Sequence, residues 1–327
     1  GGQRLHLLPY MGVAEYATAS RCAVDAALLA ASDLAFEAKR HNEVRPLYDQ
    51  HDAASRHETQ RQQMYDAAEA LACLRNQRVV LYFQPIRSLA DHVAGPTARA
   101  SGKLHGEVLC RLRNPAGELI MPSRFLGPIE AAGRGVELDL AVLNALFQQL
   151  RAAPEALAYC ERIGINLTGQ SLASASFQKQ LRSLLADSPL PLSRLCFEIT
   201  ETAAISSTAV ASSLLDELRA QGCSIAIDDF GVGMQSFERL KALPLDVIKI
   251  DGSFIRNVTQ HGKDYALVKA SVAIAQAFGA RTVAEFVEDE ETVACLQELG
   301  VDFIQGYLIT PPRPLTDVLA EIAPPAH

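Results

Sequence analysis

The chain has 327 residues, a formal net charge of −8, and 49% hydrophobic residues. This acidic balance argues against a non-specific nucleic-acid binder, because such proteins present basic faces. The length and the hydrophobic content suit one barrel of about 250 residues with an additional segment.

Seven cysteines are scattered along the chain without a C-x-x-C spacing. An odd number without framework spacing indicates reduced, mostly buried thiols and predicts a cytoplasmic domain. No run of about 18 apolar residues occurs, and the first residues lack the apolar core of a signal peptide, so we expect no membrane contact from this chain. A membrane or sensory segment of a longer parent protein would lie outside these residues.

The first third of the chain predicts a partial domain and a helix. Residues 5–13 and 45–48 are predicted strands, and residues 24–40 are a predicted helix with apolar side chains at three- and four-residue steps. These elements are too few to bury a core, so residues 1–50 indicate the end of a domain whose front is missing. Residues 51–77 predict a connecting helix whose thin apolar stripe packs on the following domain or, alternatively, pairs with another chain.

The segment 78–327 predicts an α/β fold, a (β/α)8 TIM-like barrel, because eight strand candidates alternate with mostly helical segments. Residues 89–106 are rich in Ala, Gly, Ser and Pro and predict a surface loop. The short connection allows the first two strands to form a hairpin, with one strand antiparallel to the rest. The predicted strands are 79–83, 107–112, 163–167, 195–199, 224–228, 247–250, 282–286 and 301–305.

Polar side chains lie at or beside these apolar strand segments. Such residues at the carboxyl ends of barrel strands form active sites in this fold class. Most of them offer oxygen ligands, which indicates a hard divalent cation. They are Glu107, Asn166, Glu198, Asp228, Asp229, Lys249, Glu285 and Gln305.

A series of short motifs runs through this segment, over about residues 78 to 313. They are 82–86 (YFQPI), 107–111 (EVLCR), 122–125 (PSRF), 166–168 (NLT), 198–201 (EITE), 228–231 (DDFG), 248–251 (IKID), 285–288 (EFVE) and 305–308 (QGYL). In this order the series resembles the EAL-domain cyclic-di-GMP phosphodiesterases. Each motif is weak alone, and together they are specific.

The resemblance implies hydrolysis of cyclic-di-GMP (c-di-GMP) to linear pGpG with two Mg2+ or Mn2+ ions. Two cations lower the pKa of water and neutralise charge on phosphate oxygens. One ion would be held by Glu107, Asn166, Glu198 and Asp228. The second would be held by Asp228, Asp229 and Glu285.

Further residues receive roles in the same reaction. Lys249 would orient the attacking water, or carry a proton if its pKa is lowered. Glu201 matches the family glutamate that steadies the loop after Asp229. Arg111 shares a strand face with Glu107 and would contact a phosphate. The other predicted substrate contacts are Gln84, Leu109, Asp139 (to a guanine edge), Phe286 (by stacking on a guanine), Glu288 and Gln305.

The chain departs from the family pattern at two places. The loop after Asp229 reads DFGVGMQS, where D-F-G-T-G-Y-S-S is usual, so Val232, Met234 and Gln235 replace family residues. In the family this loop couples the second metal to dimerisation, and the resemblance implies a homodimer. Phe286 stands where the family commonly has glycine.

Residues 10–14 and 31–40 resemble the end of a GGDEF domain, without the signature loop of a cyclase.

Three functions follow as hypotheses from these observations. The first is the metal-dependent phosphodiesterase. The second, motivated by the altered loop, is a c-di-GMP receptor without hydrolysis that signals to a protein partner. The third is an unrelated metal-dependent barrel enzyme, which would not bind c-di-GMP. Metal-dependent turnover separates the first two.

Overall fold

The structure is a computed structural model that describes residues 12–13, 47–48, 53–95, 103–206, 209–232 and 243–322, with backbone alone at 12–13, 47–48, 53–60, 205–206 and 209–210. The predicted helix 24–40 and most of the predicted strand 5–13 lie outside the described residues. The chain divides into two compact units, Gly1–Glu69 and Ala70–His327.

In the first unit, strand β1 (Gly12–Val13) pairs in parallel with β2 (Leu47–Tyr48). Helix α1 (Ala53–Arg75) matches the predicted connecting helix to within two residues at each end, and the unit boundary falls inside it. The predicted assignment of residues 1–50 to a GGDEF remnant stays a prediction.

The second unit is built on a curled mixed sheet. Its strands are β3 (Val79–Pro85), β4 (Arg87–Ser88), β5 (Leu104–Arg113), β6 (Leu119–Ile120), β7 (Cys160–Asn166), β8 (Leu195–Thr200), β9 (Ser224–Phe230), β10 (Val247–Ile250), β11 (Arg281–Ala284), β12 (Phe303–Ile304) and β13 (Arg313–Pro314). Strand β5 and the series β7 to β12 run parallel to their neighbours in chain order. Strand β3 pairs antiparallel with β5, which confirms the predicted hairpin.

The two ends of this sheet are joined through one chain segment. Strands β3 and β4 are separated by Ile86 alone, and β4 pairs antiparallel with β12 while β3 pairs with β5. Residues 79–88 therefore connect the first parallel strand with the last. The carboxyl ends of the parallel strands meet at one end of the sheet, where the predicted site residues lie.

Helices cover the outside of this sheet and bury one apolar stripe each. In the helix Gly135–Ala152 the buried residues include Leu138, Val142, Leu146 and Leu150, which recur every four residues and so share a face. The helices of this unit, numbered from α2, are Leu89–Val93, Pro122–Ala131, Gly135–Ala152, Gly169–Ala173, Ala175–Ala186, Glu201–Ser206, Ala209–Ala220, Gly252–Ile255, Gly262–Phe278, Glu290–Leu299 and Leu315–Ile322.

One prediction for the start of this unit was wrong. Residues 89–106 are not a continuous loop, because α2 occupies Leu89–Val93 and β5 begins at Leu104. The Ser88 hydroxyl accepts a hydrogen bond from the Asp91 amide, and Leu89 is buried, so a capped turn forms despite the loop-like composition.

No helix among the described residues is both long enough and apolar enough to cross a membrane.

Candidate active site

Adjacent strands bring the predicted polar side chains to one level of the sheet. Asn166 pairs in register with Glu198, and Thr200 pairs with Asp228. Glu107 lies within β5, three residues after its first residue, and not at a strand start as predicted, because the strand begins at Leu104. Lys249 is in β10, whereas Glu285 and Gln305 directly follow β11 and β12.

The buried ammonium of Lys249 is the centre of the site. Its Nζ lies 2.9 Å from Glu107 Oε2, 2.7 Å from Glu198 Oε2, 3.1 Å from Asp228 Oδ1 and 2.9 Å from Glu285 Oε1. The lysine is 1% exposed. Four carboxylates from four different strands or strand ends therefore converge on one charge.

Glu107 is also held by two amide side chains. Asn166 Nδ2 donates to Glu107 Oε1 at 2.5 Å, and Gln305 Nε2 donates to Glu107 Oε2 at 3.1 Å. Gln305 Nε2 also lies 3.3 Å from Gln84 Oε1. These bonds fix the orientation of the Glu107 carboxylate.

The cluster holds more carboxylates than positive charges, and this excess shifts the pKa values of its side chains. Burial alone would lower the pKa of Lys249, but the four carboxylates outweigh burial and raise it well above its usual range. Burial and neighbouring acids raise the pKa of Glu285 to about 8 and that of Glu198 well above its usual range, against the opposing effect of Lys249. Burial raises the pKa of Asp229 to about 6.

The raised pKa keeps Lys249 protonated, and the charged lysine holds the acids together. Among the described residues that touch these acids, it is the one cation for several carboxylates, so the cluster favours additional positive charge.

The donor atoms suit divalent cations. Carboxylate oxygens of Glu107, Glu198 and Asp228 lie within 4.8 Å of one another, and so do those of Asp228, Asp229 and Glu285. Asp228 belongs to both groups, as expected for a residue shared by two ions. Hard oxygen donors of this kind suit Mg2+ or Mn2+. Asn166 lies beside the first group through its bond to Glu107.

The segment after β9 is held by Glu201. This carboxylate is 3% exposed, and its Oε2 accepts a hydrogen bond of 2.9 Å from the backbone N–H of Gly231. Gly231 has a φ of +106°, and Asp229 has a φ of +54°. These left-handed conformations turn the backbone directly after Asp228, the acid that belongs to both carboxylate groups. Val232 is exposed, and the other two departures from the family pattern, Met234 and Gln235, lie outside the described residues.

A cavity of about 270 Å3 adjoins the acidic cluster. It is lined by Leu109, Asp139 and Thr168 together with Asp228 and Asp229. Asp139 Oδ2 accepts hydrogen bonds from the backbone N–H and the hydroxyl of Thr168, at 2.8 and 2.9 Å. Burial nevertheless raises the pKa of Asp139 to about 6. The predicted substrate contacts Leu109 and Asp139 therefore share one cavity with the predicted metal ligands.

The other predicted substrate contacts differ in how far they are buried. The Arg111 side chain is 8% exposed, donates to the carbonyl of Cys110 at 2.8 Å and lies 5.4 Å from the Tyr82 ring centroid. Phe286 is 47% exposed. Glu288 is exposed, and the structure does not bring it to the cluster around Lys249.

Sequence reasoning missed two glycines and one arginine near the site. An added Cβ at Gly164 would lie 2.0 Å from Glu198 Oε1, so this glycine leaves the space that the carboxylate occupies. Gly164 precedes Asn166 by two residues, and strand alternation could have placed it on the same inward face. Gly252 and Arg256 contact Phe286, and no sequence pattern signals those contacts.

A curled mixed sheet with carboxylates clustered at its strand ends defines a barrel-like protein with a site suited to divalent cations. The chain belongs to the EAL domain family, whose profile matches residues 65–312.

Two curated relatives match most of this chain. The chain is 34% identical over 282 residues to the cyclic di-GMP phosphodiesterase PdeB of Shewanella oneidensis, covering 86% of this chain and 32% of that protein. It is 38% identical over 232 residues to the cyclic di-GMP phosphodiesterase PdeF of Escherichia coli, covering 71% of this chain and 31% of that protein. The chain thus spans about a third of the length of these relatives.

Solved structures share the fold. The PaMucR phosphodiesterase in complex with c-di-GMP matches with a TM-score of 0.67 and 30% identity, over 78% of this chain and 99% of that one. The FimX EAL domain of Pseudomonas aeruginosa bound to c-di-GMP matches with a TM-score of 0.64 and 29% identity, over 76% of this chain and 96% of that one.

Proposed function

We propose that this chain hydrolyses c-di-GMP to linear pGpG in a reaction that requires two divalent cations, Mg2+ or Mn2+. The observation that carries the proposal is the convergence of Glu107, Glu198, Asp228 and Glu285 on Lys249, next to a cavity lined by predicted substrate contacts. The names of the relatives support the choice of substrate.

The residues have distinct roles in this proposal. When bound, the cations would supply a low pKa for water and charge neutralisation at the phosphate. One would be held by Glu107, Asn166, Glu198 and Asp228, and the other by Asp228, Asp229 and Glu285.

In the reaction, the oxygen of water forms a new bond to phosphorus, and the P–O3′ bond breaks. The water loses one proton to the surroundings, and the departing O3′ oxygen takes up one proton to become a hydroxyl. The protonated Lys249 would orient the water and neighbouring acids. Gln305 would keep Glu107 in place through its hydrogen bond of 3.1 Å, and Glu201 would steady the turn that carries Asp229 through its bond to Gly231.

Substrate recognition would use the rest of the site. Arg111 is proposed to contact a phosphate, and Asp139 a guanine edge. Gln84, Leu109 and Glu288 are proposed as further contacts, and alanine variants at each should weaken c-di-GMP binding in a calorimetric titration. Equal affinity of a variant and the parent would exclude that residue from the contact set.

The direct test is incubation of the purified chain with c-di-GMP and Mn2+ or Mg2+, with pGpG followed by chromatography and EDTA as control. Metal-dependent pGpG is the expected product. Saturable binding without product would instead favour the hypothesis of a c-di-GMP receptor without hydrolysis. Neither binding nor product would contradict both.

Arg111→Ala is expected to weaken c-di-GMP binding about 10- to 150-fold, because a charge-assisted hydrogen bond contributes roughly 1.5–3 kcal/mol. Since the guanidinium also packs near Tyr82, the unfolding midpoint is measured alongside the affinity. Exposed Arg134→Ala serves as the matched control, because its side chain pairs with Glu137 on the surface. Unchanged affinity in Arg111→Ala would refute the phosphate role.

Asp139→Asn is expected to stabilise the fold at pH 8 and to weaken c-di-GMP binding. The pKa of about 6 in the folded protein lies above the usual 3.8 of an aspartic acid, so folding favours the protonated acid. This stabilising contribution is fully present below 3.8 and is lost as the pH rises through 6. The uncharged amide of the variant does not lose this contribution. At pH 8 the unfolding free energy of the variant should therefore exceed that of the parent by about 3 kcal/mol at most. Urea unfolding at pH 5 and pH 8 should show the gap between parent and variant widening with pH. A constant gap would contradict the buried-acid argument.

A further inference from the structure

Phe286 is a strained and exposed aromatic residue at the edge of the active site. Its backbone has a φ of +52°, a conformation that a bulky residue rarely adopts. Its side chain is 47% exposed, although it follows the metal-ligand candidate Glu285 directly. Neither property favours folding. Strain that the surrounding structure maintains beside an active site is a reason to look for a functional role.

The neighbouring turn is shaped to receive this ring. An added Cβ at Gly252 would lie 2.1 Å from Phe286 Cδ2 and 2.6 Å from Cγ, closer than real Cβ contacts. Only a residue without a side chain leaves room for the ring there. Gly252 begins the short helix α9 (Gly252–Ile255), which follows the strand that carries Lys249.

Arg256 then fixes the ring from the same turn. Its guanidinium carbon lies 4.5 Å from the centroid of the Phe286 ring, within the range of a cation–π contact. Gly252 and Arg256 are four residues apart, so they lie on one side of a helical turn. The ring is therefore backed by this turn, and its exposed part is available to a ligand.

We propose that Gly252, Arg256 and Phe286 form a platform on which a purine base of the ligand stacks. Gly252 leaves the space for the ring, and Arg256 is a positioning residue that holds it. Stacking of a base on an aromatic side chain contributes about 5- to 150-fold in affinity. This inference rests on the proposed function, because the base is that of c-di-GMP, held near the acids by its phosphates.

The first experiment compares c-di-GMP affinity, measured by calorimetry in EDTA, with the urea unfolding midpoint. Phe286→Gly is expected to weaken binding about tenfold or more and to leave the midpoint unchanged or higher, since glycine relieves the positive φ. A purely structural ring would give the reverse, a lower midpoint with unchanged affinity, and that result would overturn the platform. A parent chain that binds no c-di-GMP would instead overturn the proposed function and the platform together.

The second experiment tests the positioning role by a double-mutant cycle. Arg256→Met, which keeps an unbranched side chain without charge, is expected to weaken binding about two- to fivefold in the parent. It should have no further effect in the Phe286→Gly background. Equal losses in both backgrounds would show that Arg256 acts without the ring and would overturn its positioning role.

The third experiment tests the match between glycine and ring. Gly252→Ala is expected to weaken binding in the parent and to be neutral in the Phe286→Gly background. Gly262→Ala is the matched control, because an added Cβ there meets nothing within 4 Å. If Gly252→Ala prevents folding, adding Phe286→Gly should restore it. Failure of that rescue would show that the ring is not what Gly252 accommodates.

Discussion

Lys249→Met is expected to remove hydrolysis and to destabilise the cation-free fold by about 3 kcal/mol or more, the usual cost of leaving buried charge unpaired. The substitution keeps an unbranched chain of similar length, so lost packing contributes little. The effect arises because Nζ lies within 3.1 Å of oxygens from Glu107, Glu198, Asp228 and Glu285, at a position that is 1% exposed.

The stability loss should depend on cations in a particular way. Ions that bind the folded state stabilise it, and in the variant they would also replace the missing charge. Urea unfolding in EDTA and in excess Mg2+ should therefore show a larger gain from Mg2+ for Lys249→Met than for the parent. Exposed Lys179→Met serves as the control. Equal stability of parent and variant in EDTA would contradict the central role of this lysine.

The order of the site residues along the chain was predictable because it depends on strand position. The ends of apolar runs placed Asn166, Glu198 and Asp228 at one end of a sheet. The structure pairs Asn166 with Glu198, and it pairs Asp228 with Thr200, two residues after Glu198. The antiparallel hairpin was predictable from the short connection between the first two strands. Both inferences rest on geometry that a strand imposes locally.

Contacts between distant residues were not predictable in the same way. The pairing of Lys249 with Glu107 joins residues 142 positions apart, and nothing in either local sequence specifies it. The start of β5 was misplaced because residues 89–106 look loop-like in composition, whereas pairing with β3 and β7 makes Leu104 to Gly106 extended. Tertiary context decides such boundaries.

The left-handed conformations at Asp229 and Phe286 belong to the same class of feature. Sequence indicated a change at Phe286, but not that its backbone adopts a φ of +52°, nor that Gly252 and Arg256 receive the ring. Local rules disfavour a bulky residue in this conformation. Departures of this kind concentrate at functional sites, where surrounding contacts hold strained residues in place.

Glu107→Ala is expected to reduce hydrolysis more than about 100-fold, because even residues that only orient a metal ligand commonly contribute 10- to 100-fold. The carboxylate joins both halves of the site. Its Oε1 accepts from Asn166 and its Oε2 from Lys249 and Gln305, so its removal takes away a proposed ion ligand and frees two amides.

Folding should survive the Glu107→Ala substitution, because Lys249 retains three carboxylates, those of Glu198, Asp228 and Glu285. Mn2+ binding, measured from the electron paramagnetic resonance signal of the free ion, should weaken in parallel with pGpG production. The unfolding midpoint in EDTA should change little. Exposed Glu298→Ala is the matched control. Full hydrolysis by Glu107→Ala would exclude the proposed ion site, and loss of hydrolysis with unaltered Mn2+ binding would assign Glu107 to orienting the substrate or water.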